Sequence, residues 1–226
     1  MANAKFEFTG ETKMCFGFEL KRIRALVAIG PFILAGDLGG WIEKEENLSV
    51  DGNAWVFGDA RVCGNAKVYG NAWVCDNAWV YGDARVFGDA QVYGNSQVYG
   101  NSQVFGNARV YGDAWVSGDA RVCGNAKVYG DARVSGAAWV YGDARICGNA
   151  QVYGDASKTP INIIGLRWPV TIADTQMVVG CQSHDLKAWD EFNDAAIAAM
   201  DAKDALRFWR AHKDLILGIA RADGRL

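Results

Sequence analysis

Histidine is scarce in these 226 residues: there are two, His184 and His212, both near the end of the chain. Between Val50 and Ala156 there is no histidine, no glutamate and no threonine. A general base poised near neutral pH is most often histidine, and a zinc site needs about three converging nitrogen or sulfur ligands. That stretch therefore lacks histidine for either role, no two of its four cysteines lie one above the other at an eighteen-residue offset, and no regular threonine row is present to read as an ice-binding face. The six cysteines form no CxxC pair, so neither a metal knuckle nor a disulfide framework is expected. No apolar run reaches the roughly 20 residues of a membrane span, and the N-terminus lacks a signal-peptide pattern. The expected setting is a reducing cytoplasm. Charge imbalance is missing too. The net charge is −3, and residues 51–156 carry ten Asp against eight Lys or Arg. A DNA mimic needs a dense acidic surface and a DNA binder a basic stripe. These absences lead us to expect no enzyme, no metal, no cofactor, no DNA partner and no membrane insertion.

What is abundant is one phrase, Val-aromatic-Gly-Asp/Asn-Ala-polar, repeated from Val50 to Ala156. An aliphatic residue recurs every sixth position from Val50 and Val56 to Ile146 and Val152, eighteen positions in all. Two residues before each one from Val56 onward stands Ala, replaced only by Ser96 and Ser102. Fixed-period self-similarity marks a solenoid. Within Ala-x-Val the side chains alternate, so Ala and Val point inward and the middle residue outward. The Gly-Asp or Gly-Asn pair turns the chain. One hexad is thus one side of a prism, three make a coil of eighteen residues, and the repeats make about six coils, roughly 29 Å long at about 4.8 Å per strand. A right-handed, four-sided helix is the competing geometry, but it would want a five-residue period.

The pattern resembles the hexapeptide-repeat left-handed β-helix, although glycine comes one position later than in the usual acyltransferase phrase. The expected fold is mainly β: a left-handed parallel β-helix (50–156), an N-terminal β-rich cap (1–49) and a small C-terminal α+β domain with two helices (157–226). Trp41 and Leu48 read as core of the cap. Ile161–Ile164, Val170–Ile172 and Met177–Cys181 read as strands. Helical spacing begins at Leu186, Trp189, Phe192 and Ile197, after Ser183, His184 and an Asp185 placed in the first turn, with a break near Met200–Asp201. The acyltransferases and zinc carbonic anhydrases of that family depend on coil histidines. With none here, their catalytic residues cannot be carried over, and a divergent acyltransferase stays a remote alternative.

The outward slots hold sixteen aromatics, among them all eight tyrosines. Trp55, Trp73, Trp79, Trp115 and Trp139 fill one slot; the tyrosines and Phe57, Phe87 and Phe105 fill the slot after Val. Cys63, Cys75, Cys123 and Cys147 share that second slot and read as small surface or ladder residues. Stacked ladders would account for part of the aromatic set; an interface would account for the rest, since Tyr, Trp and Arg are enriched at hot spots. A homo-oligomer, a trimer first, is the expected assembly. Arg109 with Tyr111, Arg85 with Phe87, and Trp73, Tyr93, Trp115 and Tyr99 are the candidate binding residues, for a host protein or a small nucleotide held by stacking and phosphate contact.

The leader, Arg22-Ile23-Arg24-Ala25-Leu26 and Ala35-Gly36-Asp37-Leu38-Gly39-Gly40-Trp41-Ile42, followed by Gly-Asp/Asn-Ala-Arg/Trp-Val repeats, resembles a group of phage and prophage proteins of unassigned activity. That resemblance implies a non-catalytic protein acting in an infected bacterium against its defences. A virion or filament scaffold is the alternative, and the distinct terminal domains argue against its open-ended stacking.

Overall fold

The structure, a computed structural model, describes residues 4–226; residues 1–3 of the expected cap lie outside the described residues. Two long strands, β1 (Phe6–Cys15) and β2 (Phe18–Ala25), form an antiparallel hairpin, and β3 (Leu38–Ile42) follows. Seventeen two-residue strands come next, β4 (Trp55–Val56) through β20 (Gln151–Val152). Strands three apart pair in parallel at an offset of eighteen residues, Trp73 with Gln91 and Gln91 with Arg109. Three sheets result, so the prism is three-sided. One has six strands, from β4 to β19, and one five, from β6 to β18. The third has nine, because six coil strands continue through β3 and β2 into β1. The expected parallel β-solenoid of about six turns is what the chain forms.

Each hexad is held in three ways. The inward Ala and Val are buried throughout the stack. The backbone sends three N–H groups to the next coil: Trp73 to Ala90 at 2.9 Å, Cys75 to Val92 at 2.9 Å and Asn77 to Gly94 at 3.0 Å. The corner needs glycine twice over. Gly100 sits at φ +70°, and a Cβ there would stand 3.0 Å from the backbone of Gly118 in the coil above. The exception is Asp76, at φ +61°, whose carboxylate accepts from the Gly94 N–H at 3.0 Å. Asp can occupy left-handed backbone when its short side chain bonds locally.

The Asn and Asp after each corner glycine form directional ladders. Asn77 donates to Asn95, which donates to Asp113; Asn107 donates to Asn125, which donates to Asp143. Asparagine both donates and accepts, whereas a carboxylate only accepts, so each run ends on aspartate. The two inward serines are satisfied as well. Ser96 Oγ donates to the Tyr93 carbonyl at 2.9 Å and Ser102 Oγ to that of Tyr99 at 2.8 Å.

The first coil departs from the expected register. Val50, counted in the inward series, is exposed, and Leu48 takes the place beneath Val68. Ile42 and Leu48 keep the six-residue step, but eight residues separate Leu48 from Val56. The corner holding Val50 and Asp51 is therefore two residues longer, and Ile42 pairs with Val62 at an offset of twenty. Asn47 anchors the turn before Leu48, its side-chain amide donating to the carbonyls of Gly64 and Ala66.

The hairpin closes the N-terminal end. Phe6, Ile23, Ile29 and Ile33 join the coil core, and Trp55, expected to point outward, is fully buried with Phe6 edge-on to it. Gly39 makes room for it: a Cβ there would lie 2.8 Å from the Trp55 ring. On the flank, Leu20 and Trp41 bury Cys63, and Phe16 stacks on Trp79 at 4.8 Å. Cys63 is thus no surface residue, nor is Cys123: Trp79 and Trp139 each lie over the cysteine sixteen positions earlier, their indole N–H groups 3.4 and 3.2 Å from the sulfurs.

Beyond Ala156, four antiparallel strands form a meander: β21 (Ile161–Ile163), β22 (Val170–Ile172), β23 (Gln176–Val179) and β24 (Gln182–Asp185). They are followed by α1 (Leu186–Glu191) and α2 (Asp194–Ala222). Ser183 and His184 lie in β24 and not in a capping loop. Asp185 is the N-cap of α1, and its side chain makes no capping bond. Asn193 does cap α2, accepting from the Ala196 N–H. The break expected near Met200–Asp201 falls at Asp201 and Ala202, where the backbone leaves the helical region. Three helical pieces stand where two were expected.

Candidate binding surfaces

The candidate coil residues fall on all three sheets. Trp73, Tyr93, Arg109 and Tyr111 stand on the six-stranded sheet, Arg85 and Phe87 on the five-stranded, Tyr99 and Trp115 on the nine-stranded. They do not converge. Tyr93, Tyr111 and Tyr129 stack face to face with centroids 4.8 and 5.0 Å apart. Tyr69, Phe87 and Phe105 do the same at 4.8 and 4.9 Å, and Tyr99 lies on Tyr81 at 4.8 Å. Both faces of Tyr111 and of Phe87 are therefore occupied by neighbouring rings, which leaves only ring edges for a base to meet. Trp73 is flanked by the rings of Phe32 and Phe57, each at 5.5 Å, and Trp115 lies under the Arg133 guanidinium at 4.8 Å. Arg109 and Arg85 are exposed, Arg109 between Gln91 and Lys127 in the same sheet. The ladders leave a chemical mark. Burial and the neighbouring Tyr99 push the Tyr81 phenol up to about 12, and burial pushes the Cys75 thiol up to about 11.

Exposed apolar side chains gather instead at the N-terminal cap. Leu26, Val27, Phe32, Leu34 and Leu38 are all exposed, Phe32 by 70% and Leu34 by 67%, whereas the most exposed coil aromatic, Trp139, reaches 44%. Asp37 fixes the loop that carries them, its carboxylate accepting from the Leu34 N–H at 2.8 Å. The sequence marks this segment as a β-rich cap but not which of its residues the hairpin leaves uncovered.

A third feature was not foreseen. In the C-terminal module a cavity of about 280 Å³ is walled by Trp168, Trp189, Phe208 and Trp209, with Met200, Asp201 and Cys181 also lining it. Three segments bring the rings together: the approach to β22, helix α1, and α2 beyond its break. Trp168 meets Phe208 at 5.0 Å and 68°, and Trp189 meets Trp209 at 4.9 Å and 43°. The Trp189 indole N–H donates to the Met177 carbonyl at 2.8 Å, whereas that of Trp209 is buried without an acceptor. Beside the cavity Ala202 holds φ +48° and ψ −135°, a conformation that costs a non-glycine residue about 1–3 kcal/mol. Aromatic spacing was the available signal. Trp189 falls in the helical series that begins at Leu186, and it and Trp209 are both buried and line a hole.

Among the described residues no group of three or more His, Cys, Asp or Glu is placed to hold a metal ion, and no helix is long and apolar enough to cross a membrane. A family model described as the YdcK beta solenoid repeat matches residues 60–76, 78–94, 102–118 and 126–142. Each stretch spans about one coil, and each begins on the small inward residue: Ala60, Ala78, Ser102 and Ala126. No curated protein matches the chain. With the three-sided parallel stack of strands, these matches identify the chain as a repeat β-helix protein whose coils are similar to the YdcK solenoid repeat.

Proposed function

We propose that this is a non-catalytic binding protein in which the β-helix is a rigid spacer and the N-terminal cap engages a protein partner. The observation that carries this reading is the contrast in exposure. Most coil aromatics pack in their own ladders, while at the cap Leu26, Leu34 and Leu38 are exposed and Phe32, edge-on to Trp73, still keeps 70% of its surface exposed. Contiguous exposed apolar side chains on a soluble surface mark interaction sites. The resemblance of the leader to phage and prophage proteins supports a partner in the infected bacterium, a component of its defences, and a cytoplasmic setting. Nucleotide sequestration on the coil faces draws less support, because Tyr111 and Phe87 are covered on both ring faces. A filament of end-to-end coils draws less as well, since the hairpin covers one end and Ala156 and Ala173 join the core at the other.

Self-association, as a trimer in the first instance, is the second reading. It is favoured by Trp115, Trp139, Tyr141 and Tyr153, the exposed aromatics of the last coils. Native mass spectrometry of the protein purified gently from bacterial cells separates the two. A stoichiometric second polypeptide that disappears with Phe32→Ser and Leu34→Ser supports cap-mediated binding. A closed oligomer of this chain alone, unchanged by those substitutions, replaces it with self-association.

A further inference from the structure

The cavity of the C-terminal module has a chemistry of its own. Its walls are four aromatic rings, and the one charged residue lining it is Asp201. Asp201 is exposed at the rim and has no ion-pair partner among the described residues. The Arg167 guanidinium, over the Trp168 ring at 5.1 Å, is tied to Asp204 at 2.6 Å. An anion entering here would meet an unneutralised carboxylate, and a strongly hydrated ion would lose water to apolar walls with too few polar replacements. A cation whose charge is spread over apolar substituents avoids both costs. It is drawn to ring faces and to the carboxylate.

We propose that this cavity binds a small organic cation, an ammonium group carrying apolar substituents, with Trp168, Trp189, Phe208 and Trp209 as walls and Asp201 as counter-charge. A volume of about 280 Å³ lies at the small end of ligand pockets, which start near roughly 300 Å³. The occupant is therefore a molecule of metabolite size or a single modified side chain. The break at Asp201 and Ala202 belongs to the design of the site: it interrupts α2 where Met200 and Asp201 reach the rim. This proposal rests on the reading of the chain as a binding protein, but it places a second, chemically different site in the C-terminal module.

The test uses the full chain and an isosteric pair of probes, choline and the neutral 3,3-dimethylbutan-1-ol, titrated by calorimetry. Binding is located by the protection of Cys181 from iodoacetamide, read peptide by peptide. Cys181 is the exposed thiol and lines the cavity, while Cys15, Cys75 and Cys147 report non-specific effects. Choline is expected to bind at least about tenfold more tightly than the alcohol and to slow alkylation at Cys181 alone. Asp201→Asn is expected to weaken choline about fivefold without changing the alcohol. Ala205→Phe, which fills the cavity, is expected to abolish both. Because Asp201 is exposed, its substitution keeps the test open if the Ala205 variant misfolds. Equal affinities for the two probes would overturn the cationic assignment. Absence of saturable choline binding, or choline binding indifferent to both substitutions, would overturn the site. Phe32→Ser and Leu34→Ser leave choline binding intact, so failure of the cap reading and of this one can be told apart.

Discussion

The coils and the C-terminal module answer the same physical demands in opposite ways. In the coils every requirement recurs at eighteen residues and is met by the same residue type each time: glycine at the left-handed corner, Ala and Val inside, Asn passing a hydrogen bond upward. Where the pattern varies, the substitute supplies its own partner, as Asp76 does to Gly94 and Ser96 to Tyr93. The C-terminal module has no repeat to copy. Beside the cavity it has two left-handed residues, and only one of them, Gly180, is glycine; the other is Ala202. Three of the buried side-chain atoms without a hydrogen-bond partner, on Gln176, His184 and Trp209, belong to it; the other two, on Arg22 and Arg61, sit where the hairpin meets the first coils. Repetition satisfies the backbone and the core at the cost of chemical variety. Unused donors, strain and empty volume collect where the sequence is irregular, and there a ligand can find something to bind.

The contrast can be broken most severely from inside the coils. Val98 is fully buried among like residues, and Val98→Asp is expected to cost more than about 4 kcal/mol and leave no cooperative unfolding transition by circular dichroism. A retained transition would mean that the column is not a dry core. Next comes the corner. Gly100→Ala adds a Cβ at φ +70° within 3.0 Å of the coil above and should lower stability by about 2 kcal/mol in urea denaturation. Ala202→Gly acts in the opposite sense and should stabilise the C-terminal module by about 1 kcal/mol. A loss there would show that helix propensity outweighs strain. Asn95→Asp stops one ladder by facing Asp113 with a second acceptor, at a cost of about 1 kcal/mol that a buffer near pH 3 should largely remove.

The smallest effect is alkaline. In the folded chain the Tyr81 phenol is raised to about 12, from 10. The unfolded chain therefore loses this proton first as pH rises. The stability that Tyr81 contributes is complete below pH 10 and is lost as pH climbs toward 12. Cys75, raised from 9 to about 11, acts in the same direction from a lower pH. Urea midpoints measured from pH 8 upward should fall, and Tyr81→Phe, which keeps the stack, should flatten the upper part of that fall. An unchanged slope would assign the effect to other groups.

Legibility in the sequence followed the same division. The eighteen-residue offset places Tyr93, Tyr111 and Tyr129 in one column and Tyr69, Phe87 and Phe105 in another, because parallel coils fix register by counting. It could not tell a stacked column from a waiting interface. That depends on ring planes, and 4.8 Å between coils lets like rings lie flat on one another. Nor could it see that Trp55 and Cys63 are buried, since the covering residues Phe6, Leu20 and Trp41 lie elsewhere in the chain. Val50 falls out of the inward series because the phrase that precedes it, Ile42 to Leu48, keeps the period while the longer corner after Leu48 does not. The cap patch and the aromatic cavity stayed hidden for a related reason: each is defined by what neighbouring segments fail to cover.

By itself the sequence determined the solenoid, its three faces, its coil count and the absence of coil histidines, because a six-residue period from Val56 on buries each Val of the series when the chain turns at the corner glycines. Tertiary structure alone decided which outward side chains are spent in ladders, which are sealed under the hairpin and which remain free at the cap. It also decided that Trp168, Trp189, Phe208 and Trp209 enclose a space. Those outcomes depend on contacts between segments with no common period, so their geometry is set by packing in three dimensions and not by the spacing of residues along the chain.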